Sequence, residues 1–323
     1  MLRGDVLITG GAGTLGRAIM LRGFSEGWDC RFTIFSTDAV KHHYIKSLFP
    51  GIRTVIGDIR DFSTLSNVMA GMDVVIHAAA VKHIPDSEYN VVDTYQINVE
   101  GSHNVAQAAV QNHIPVVLSI STDKAAHPVN AYGATKMLME KMIQEFARYR
   151  FDTKFHLVRY GNVLESTGSV VEAWHRSIDA GQPIRMTDPK MTRFWLAPSQ
   201  AVDLVLKSME LESGEIYVAK MPALSIGKLA EYAVGVGEPN TIQDWPIETI
   251  PLRPGEKMHE TLLTIEETAY AADHGDHFVL RPSTGPRNPS SGEQYDPFPE
   301  PYTSDKPVRQ LEMLELREML KNG

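Results

Sequence analysis

Apolar and polar positions alternate along the first half of the chain in a regular rhythm. Short β-branched runs at Asp5–Thr9, Arg31–Phe35, Ile52–Ile56, Val74–His77, Pro115–Ile120 and Lys154–Val158 read as buried strands. Between them apolar residues recur at helical spacing near residues 14–26, 38–48, 61–70, 87–112 and 130–149. In the last of these, Leu138, Met142 and Phe146 form an i, i+4, i+8 stripe expected to face the sheet. Strands alternating with helices predict βαβ units. The fold class is therefore α/β, a doubly wound parallel sheet with its ligand site at the carboxyl ends of the strands.

After about residue 160 the rhythm weakens. A helix over Ala201–Leu211 and a strand at Ile216–Ala219 predict a return to the main sheet. The first unit is thus expected over 1–160 plus about 199–219, and a smaller, discontinuous unit over about 161–198 plus 220–284. Seven prolines between Pro282 and Pro307 exclude helix and central strand, so the tail at 285–323 starts as an extended wrap or a linker. A terminal helix near 308–321 follows, with Met313, Leu316 and Leu320 on one side.

Composition narrows the partners. With 31 Lys+Arg against 40 Asp+Glu the formal net charge is −9, and no basic block stands out, which speaks against a nucleic-acid partner. The single cysteine, Cys30, excludes an intrachain disulfide framework and suits a reducing compartment. The first apolar run, Val6-Leu7-Ile8, is far too short to span a membrane, so the expectation is a soluble, cytoplasmic protein with no membrane partner. Twelve histidines invite a metal reading, but the densest cluster, Asp273-His274-Gly275-Asp276-His277, lacks a helical frame and reads as a polar turn, so no metal is expected.

Gly10-Gly11-Ala12-Gly13-Thr14-Leu15-Gly16 follows a predicted strand and opens a predicted helix. Glycines there permit a tight turn and let backbone N–H groups reach a pyrophosphate at the helix N-terminus, so the first unit reads as a Rossmann dinucleotide-binding domain. Gly10, Gly13, Thr14, Leu15 and Gly16 are the expected contacts. At the end of the second strand, an acidic residue would favour a ribose 2′-OH and a cation a 2′-phosphate. Ser36, Thr37 and Asp38 followed by Lys41 argue both ways, so NADP is expected with NAD as the alternative. Asp58 and Ile59 end the third strand, where an adenine would sit, though Asp58 equally suits a helix cap. Ala78, Ala79 and Ala80 end the fourth with small residues that leave space for a cofactor.

Tyr132 and Lys136 lie one helical turn apart and so share a face. An ammonium held there favours the ionised phenol, which could take a proton from a substrate alcohol. An ordinary surface pair has the same spacing. Its company decides, because Ser121-Thr122-Asp123-Lys124 ends the preceding strand.

Together these strings resemble the extended short-chain dehydrogenase/reductase superfamily, and within it the inverting UDP-N-acetylglucosamine 4,6-dehydratases of surface-glycan and flagellin-glycan biosynthesis. The resemblance rests on GGAGTLG, on AAAVKHIP at 78–85 and on STDKAAHPVNAYGATK at 121–136. RYGNVLESTGSV at 159–170, MTRFW at 191–195 and RPGEKMHE at 253–260 extend it. It implies that Tyr132 and Lys136 are the dehydrogenase pair, Thr122 their hydroxyl partner, and Asp123 with Lys124 the elimination pair. Lys82 and Asn98 match positions near the cofactor or the framework of the site, Lys82 also near substrate. Asn162, Arg193, Arg253 and Glu256 match the sugar-diphosphate end. Two arginine forks suit phosphate oxygens, whereas Lys257 and His259 either assist or form a solvated turn, and Phe194 and Trp195 either stack on uracil or fill a core.

The implied activity is redox-neutral: oxidation at C4, loss of water across C5 and C6, and hydride return to C6 with C5 inverted, by a tightly bound and recycled cofactor. Lys124 as base must be neutral, which the positive charge of Lys136 and of oxidised nicotinamide would promote; Asp123 as acid must stay protonated, which burial would arrange. The two are adjacent and titrate together, so acid and base are assigned to the pair. Relatives that retain C5 configuration carry Asp-Glu in place of Asp123-Lys124. Thr37, where the family commonly has Arg, weakens the NADP assignment, and Glu165-Ser166-Thr167-Gly168-Ser169-Val170 lacks the family's arginine. Self-association to a homo-oligomer is also implied. A 4-epimerase, a retaining or 5,6-dehydratase, and a non-catalytic dinucleotide-binding protein are the alternatives.

Overall fold

The computed structural model describes residues 1–149, 151–164, 166, 168–235, 245–284 and 299–321. Strands β1 (Gly4–Thr9), β2 (Cys30–Ser36), β3 (Arg53–Ile56), β4 (Val74–His77), β5 (Val116–Thr122) and β6 (Lys154–Tyr160) alternate with helices. These are α1 (Thr14–Ser25), α2 (Ala39–Leu48), α3 (Phe62–Met69), α4 (Ile84–Tyr89), α5 (Val91–Tyr95), α6 (Ser102–Gln111) and α7 (Ala131–Arg148). Then come β7 (Asn162–Val163), α8 (Val170–Asp179), β8 (Ile184–Met186), β9 (Thr192–Leu196), α9 (Pro198–Ser208), β10 (Ile216–Ala219), β11 (Ala223–Ser225) and α10 (Ile226–Ala233). The rest is β12 (Ile247–Thr249), β13 (Thr261–Leu263), β14 (Ala271–Asp273), β15 (His277–Leu280), β16 (Tyr302–Thr303) and α11 (Met313–Lys321).

Nine strands form the main sheet in the order β14-β15-β10-β6-β5-β4-β1-β2-β3. From β3 to β10 all neighbours are parallel, and β15 and β14 join as an antiparallel edge. Strand order reverses between β1 and β4, the switch point that opens a crevice at the carboxyl ends. Val6, Leu7, Ile8, Val75, Ile76, Val117 and Leu118 are fully or almost fully buried, because a parallel sheet is covered on both faces. A second cluster, with Trp174, Trp195, Leu224 and Leu229, joins α8, α10, β9 and β11, and Leu311, Leu316 and Met319 of the C-terminal segment seal it.

Three expectations change. The stripe on α7 is displaced by one residue: Met139 and Ile143 are fully buried while Leu138 is 47% exposed, with Met142 and Phe146 at the margin of the core. Tyr132 and Lys136 share that buried face, so polar chemistry and packing compete for one stripe. The single helix expected over 87–112 is broken. Asn90 has φ −126° and ψ 56°, outside the helical region, and Gln96–Gly101 forms a π turn before α6. Finally, β14 and β15, expected in the smaller unit, extend the main sheet because β15 pairs with β10.

The cluster at 273–277 is the turn between β14 and β15, with Asp273 and Asp276 paired to Lys220 and Lys207. The wrap described from Glu300 onward pairs β16 with β13, whereas the proline-rich 285–298, Glu165, Thr167 and the side chain of Leu320 lie outside the described residues. No helix among the described residues is long and apolar enough to cross a membrane.

Candidate active site

The crevice is built by the ends of four strands. Beyond β1, Gly10 adopts φ +66°, and a Cβ there would stand 2.8 Å from the Ala79 backbone. The loop therefore lies directly against the end of β4, with half-buried Ala78, Ala79 and Ala80. Gly13 precedes the 12-residue helix α1 with no side-chain cap, beside Thr14, Leu15 and buried Gly16, so the positive end of the helix dipole points into the loop. Beneath them His77 bridges the Thr9 and Ser102 hydroxyls at 2.8 Å each. Burial, aided by the Lys136 charge, pushes its imidazole down to about 3, so it ties β1 to β4 as a neutral ring. This glycine-rich cradle at a helix N-terminus fits a dinucleotide pyrophosphate.

At the adenosine end, the Ser36 hydroxyl meets His42 Nε2 at 2.7 Å, and exposed Thr37 leads into α2. Asp38 caps α2, and its Oδ2 lies 3.0 Å from Lys41 Nζ, so the two opposing signals of the sequence neutralise each other. Asp58 is not a helix cap: it is gripped by Arg60, and Asp61 caps α3. Ile59 is buried. Lys82 is exposed, whereas Asn98 is fully buried. The Asn98 amide accepts from Val81 N at 2.8 Å and donates to Val81 O at 2.9 Å and Thr135 Oγ1 at 3.0 Å, which makes it framework.

The chemical residues converge beyond β5. Thr122 ends the strand, and Asp123–Ala125 coil into one 3₁₀ turn. α7 approaches closely because Gly133 lacks a side chain: a Cβ there would lie 2.3 Å from Lys124 O. Asn130 caps α7 through Gly133 N at 2.7 Å and donates to Gly255 O at 2.8 Å, drawing the 253–260 turn over the site. Thr122 Oγ1 donates to Asp123 Oδ1 at 2.8 Å and is the hydrogen-bonding neighbour of the Tyr132 phenol. Lys124 Nζ lies 2.9 Å from Asp123 Oδ1 and 3.2 Å from Asn162 Oδ1.

Several electrostatic expectations are corrected. The Tyr132 phenol is pushed up, not down, because burial outweighs the help of Lys124 and Thr122. Lys136 is not the cation that assists it: its Nζ donates to Ile120 O at 2.5 Å, and burial lowers it to about 8 against the pull of Glu140. Lys124 is not driven neutral either. Burial alone would depress it, but Asp123 and Glu260 overcome that and hold the ammonium above its ordinary range. Asp123 does move as expected, since burial raises it despite Lys124.

The substrate end differs as well. Arg193 is buried, and its guanidinium donates to Thr192 O at 2.8 Å, Lys257 O at 2.9 Å and Met258 O at 3.2 Å. Its fork braces the 253–260 turn instead of opening toward solvent. Arg253 is exposed on that turn, and Glu256 Oε2 accepts from Arg253 N at 3.3 Å. Phe194 and Trp195 are core residues at 0% and 2% exposure, which removes them as stacking partners for a base. Lys257 Nζ donates to Ala126 O at 3.2 Å, and His259 Nδ1 meets Thr192 Oγ1 at 2.8 Å.

Glu260, the last residue of the RPGEKMHE string, is the central charge of the site. Glu260 is 2% exposed, with Oε1 at 3.4 Å from Lys124 Nζ and 3.7 Å from Arg193 Nε, and Oε2 at 3.6 Å from Lys257 Nζ. Its place at the end of RPGEKMHE was the available signal; its distance in sequence from Lys124 hid the contact.

The sequence profile of the polysaccharide biosynthesis protein family matches residues 6–282. The chain is 35% identical over 288 residues to UDP-N-acetylglucosamine 4,6-dehydratase (inverting) of Campylobacter jejuni, covering 86% of this chain and 83% of that protein. It is 36% identical over 329 residues to UDP-glucose 4-epimerase of Rickettsia bellii, covering 98% and 95%. Among solved structures, Pen from Bacillus thuringiensis superposes with a TM-score of 0.88 at 32% identity, over 99% of this chain and 97% of that one.

Proposed function

The chain belongs to the polysaccharide biosynthesis protein family of extended short-chain dehydrogenases/reductases, and we propose that within it this protein is a UDP-N-acetylglucosamine 4,6-dehydratase that inverts C5. The observation that carries this reading is the buried Asp123–Lys124 pair beside the Thr122–Tyr132 hydroxyls. Moving a proton at O4 needs only the hydroxyls, whereas taking a proton from C5 and giving one to O6 needs a second acid–base pair.

A dinucleotide would lie over Gly10–Gly16, with Ala78–Ala80 beside it, Ser36, Thr37 and Lys41 near its adenosine, and Lys136 near its reactive end. When bound, its nicotinamide would supply the hydride acceptor for C4 and the hydride donor for C6. Tyr132, as the phenolate that Lys124 and Thr122 favour against its burial, takes the O4 proton as the alcohol becomes a ketone, and the ketone acidifies C5–H. One proton passed along the 2.9 Å Lys124–Asp123 contact converts ammonium and carboxylate into amine and carboxylic acid. The pair then removes the C5 proton and protonates the departing O6, so one water leaves. C5 is reprotonated from the opposite face. Asn162, Glu256 and Arg253 are proposed to contact the nucleotide sugar, with Arg193 holding their turn in place. A cytoplasmic, self-associating enzyme with recycled cofactor, NADP or NAD, completes the proposal.

The Rickettsia relative supports a second reading, 4-epimerisation at the same O4 centre. Incubation with UDP-N-acetylglucosamine and mass analysis of the product separates them: dehydration removes one water, epimerisation leaves the mass unchanged, and no turnover would refute both.

A further inference from the structure

Four charged side chains from three separate segments meet at Glu260. Lys124 and Asp123 come from the turn after β5, Arg193 from β9, and Lys257 from Glu260's own loop. Glu260 is fixed from behind by the C-terminal segment: its N–H donates to Ser304 Oγ at 2.8 Å, and Ser304 N donates back to Glu260 O at 2.9 Å. Among the described residues neither Glu260 Oε2 nor Asp123 Oδ2 has a hydrogen-bond partner, and Glu260 Oε2 lies 3.6 Å from Lys257 Nζ. A buried cation without a counter-charge is costly; without Glu260, Lys124 and Lys257 would be left to Asp123, and Arg193 to Glu256 at 3.9 Å.

We propose that Glu260 is the positioning residue of the elimination pair: it serves as counter-ion to Arg193 and Lys257 and as second anchor for Lys124, leaving Asp123 free to exchange its proton with Lys124. The inference deepens the dehydratase reading and rests on it for the chemical role, while the charge arrangement stands on the geometry alone. Tyr132 also faces the cluster, and Glu260 opposes its ionisation, so Glu260 is set for the Lys124 chemistry and not for activating the phenol.

Two measurements decide it, one independent of turnover. Lys124 is 12% exposed at its side chain, enough for trace acylation by acetic anhydride, with exposed Lys46 as internal reference. Glu260→Gln removes the charge and keeps the shape, so Lys124 acylation at fixed pH should rise about tenfold, and Glu260→Asp should restore it. In the second measurement, the pH profile of solvent deuterium entry at C5 should move to lower pH by about one unit in Glu260→Gln and return with Glu260→Asp, since losing a neighbouring anion makes both Lys124 and Asp123 easier to deprotonate. Should Glu260→Gln fail to fold, the double variant Glu260→Gln/Lys257→Met keeps the cluster's net charge and carries the same signs. Unchanged Lys124 reactivity in a folded variant overturns the proposal. A wild-type protein that removes no water overturns the dehydratase reading instead, and the acylation result still judges Glu260.

Discussion

Lys124 Nζ stands 3.4 Å from Glu260 Oε1, a contact between the turn after β5 and a residue just ahead of β13. With Asp123 Oδ1 at 2.9 Å on its other side, the ammonium is held between two buried carboxylates. Such an arrangement lets a proton move within the buried Asp123–Lys124 pair, and the consequences of the proposed dehydratase role can be measured.

Lys124→Met should reduce water loss by about 10²–10⁴-fold, the usual worth of a positioned acid or base, while substrate-dependent reduction of the nicotinamide persists. Absorbance of the reduced cofactor and product mass report the two steps separately. Equal loss of both would remove the division of labour between Lys124 and Tyr132.

Tyr132→Phe should abolish the first step by a similar factor and leave dinucleotide affinity within about threefold, because the proposed role of the phenol is at the substrate O4 and the pyrophosphate cradle is formed by Gly10–Gly16. A single-turnover absorbance trace and a cofactor titration check this. Normal reduction in the variant would move the proton acceptor elsewhere.

Lys136 gives a stability signature. Its ammonium is pushed down from 10.5 to about 8 in the folded protein. Below pH 8 both folded and unfolded chains carry the proton, and burying it costs on the order of 3 kcal/mol. Between pH 8 and 10.5 only the unfolded chain holds it, so this group's contribution to stability rises with pH through that window. Urea denaturation of wild type against Lys136→Met should show a steeper pH dependence for wild type, and parallel curves would contradict the assignment.

Gly10→Ala combines an unfavourable φ of +66° with a Cβ 2.8 Å from Ala79. It should cost about 1–3 kcal/mol and weaken dinucleotide binding by more than tenfold. Calorimetric melting and cofactor titration test the two effects, and an unperturbed cofactor affinity would place the pyrophosphate away from this loop.

On α7, Met139→Ala should destabilise by about 2–5 kcal/mol and Leu138→Ala by less than about 0.5 kcal/mol. Denaturant midpoints compare them directly; the reverse order would return the packing face to Leu138.

Legibility followed the range of the physics. β1 to β6 could be read locally because apolar runs bounded by turn residues specify buried strands, and Gly10–Gly16 carry their own steric argument. The one-residue error at Leu138 arose because Tyr132 and Lys136 occupy the buried face, where a hydrophobicity pattern does not look for polar side chains. The resemblance and the planar guanidinium fork both assign Arg193 to the sugar diphosphate. Its actual acceptors, the carbonyls of Lys257 and Met258, depend on how β9 meets a distant turn.

The sequence by itself determined the parallel α/β architecture, the glycine cradle, and the grouping of Thr122, Asp123, Lys124, Tyr132 and Lys136, since these rest on backbone sterics and short-range spacing. Only the tertiary structure decided which charges face one another. Lys124 and Arg193 both reach Glu260 only through folding, and burial sets the protonation preferences of Asp123, Tyr132 and Lys136 by stripping away water, a quantity no local pattern contains.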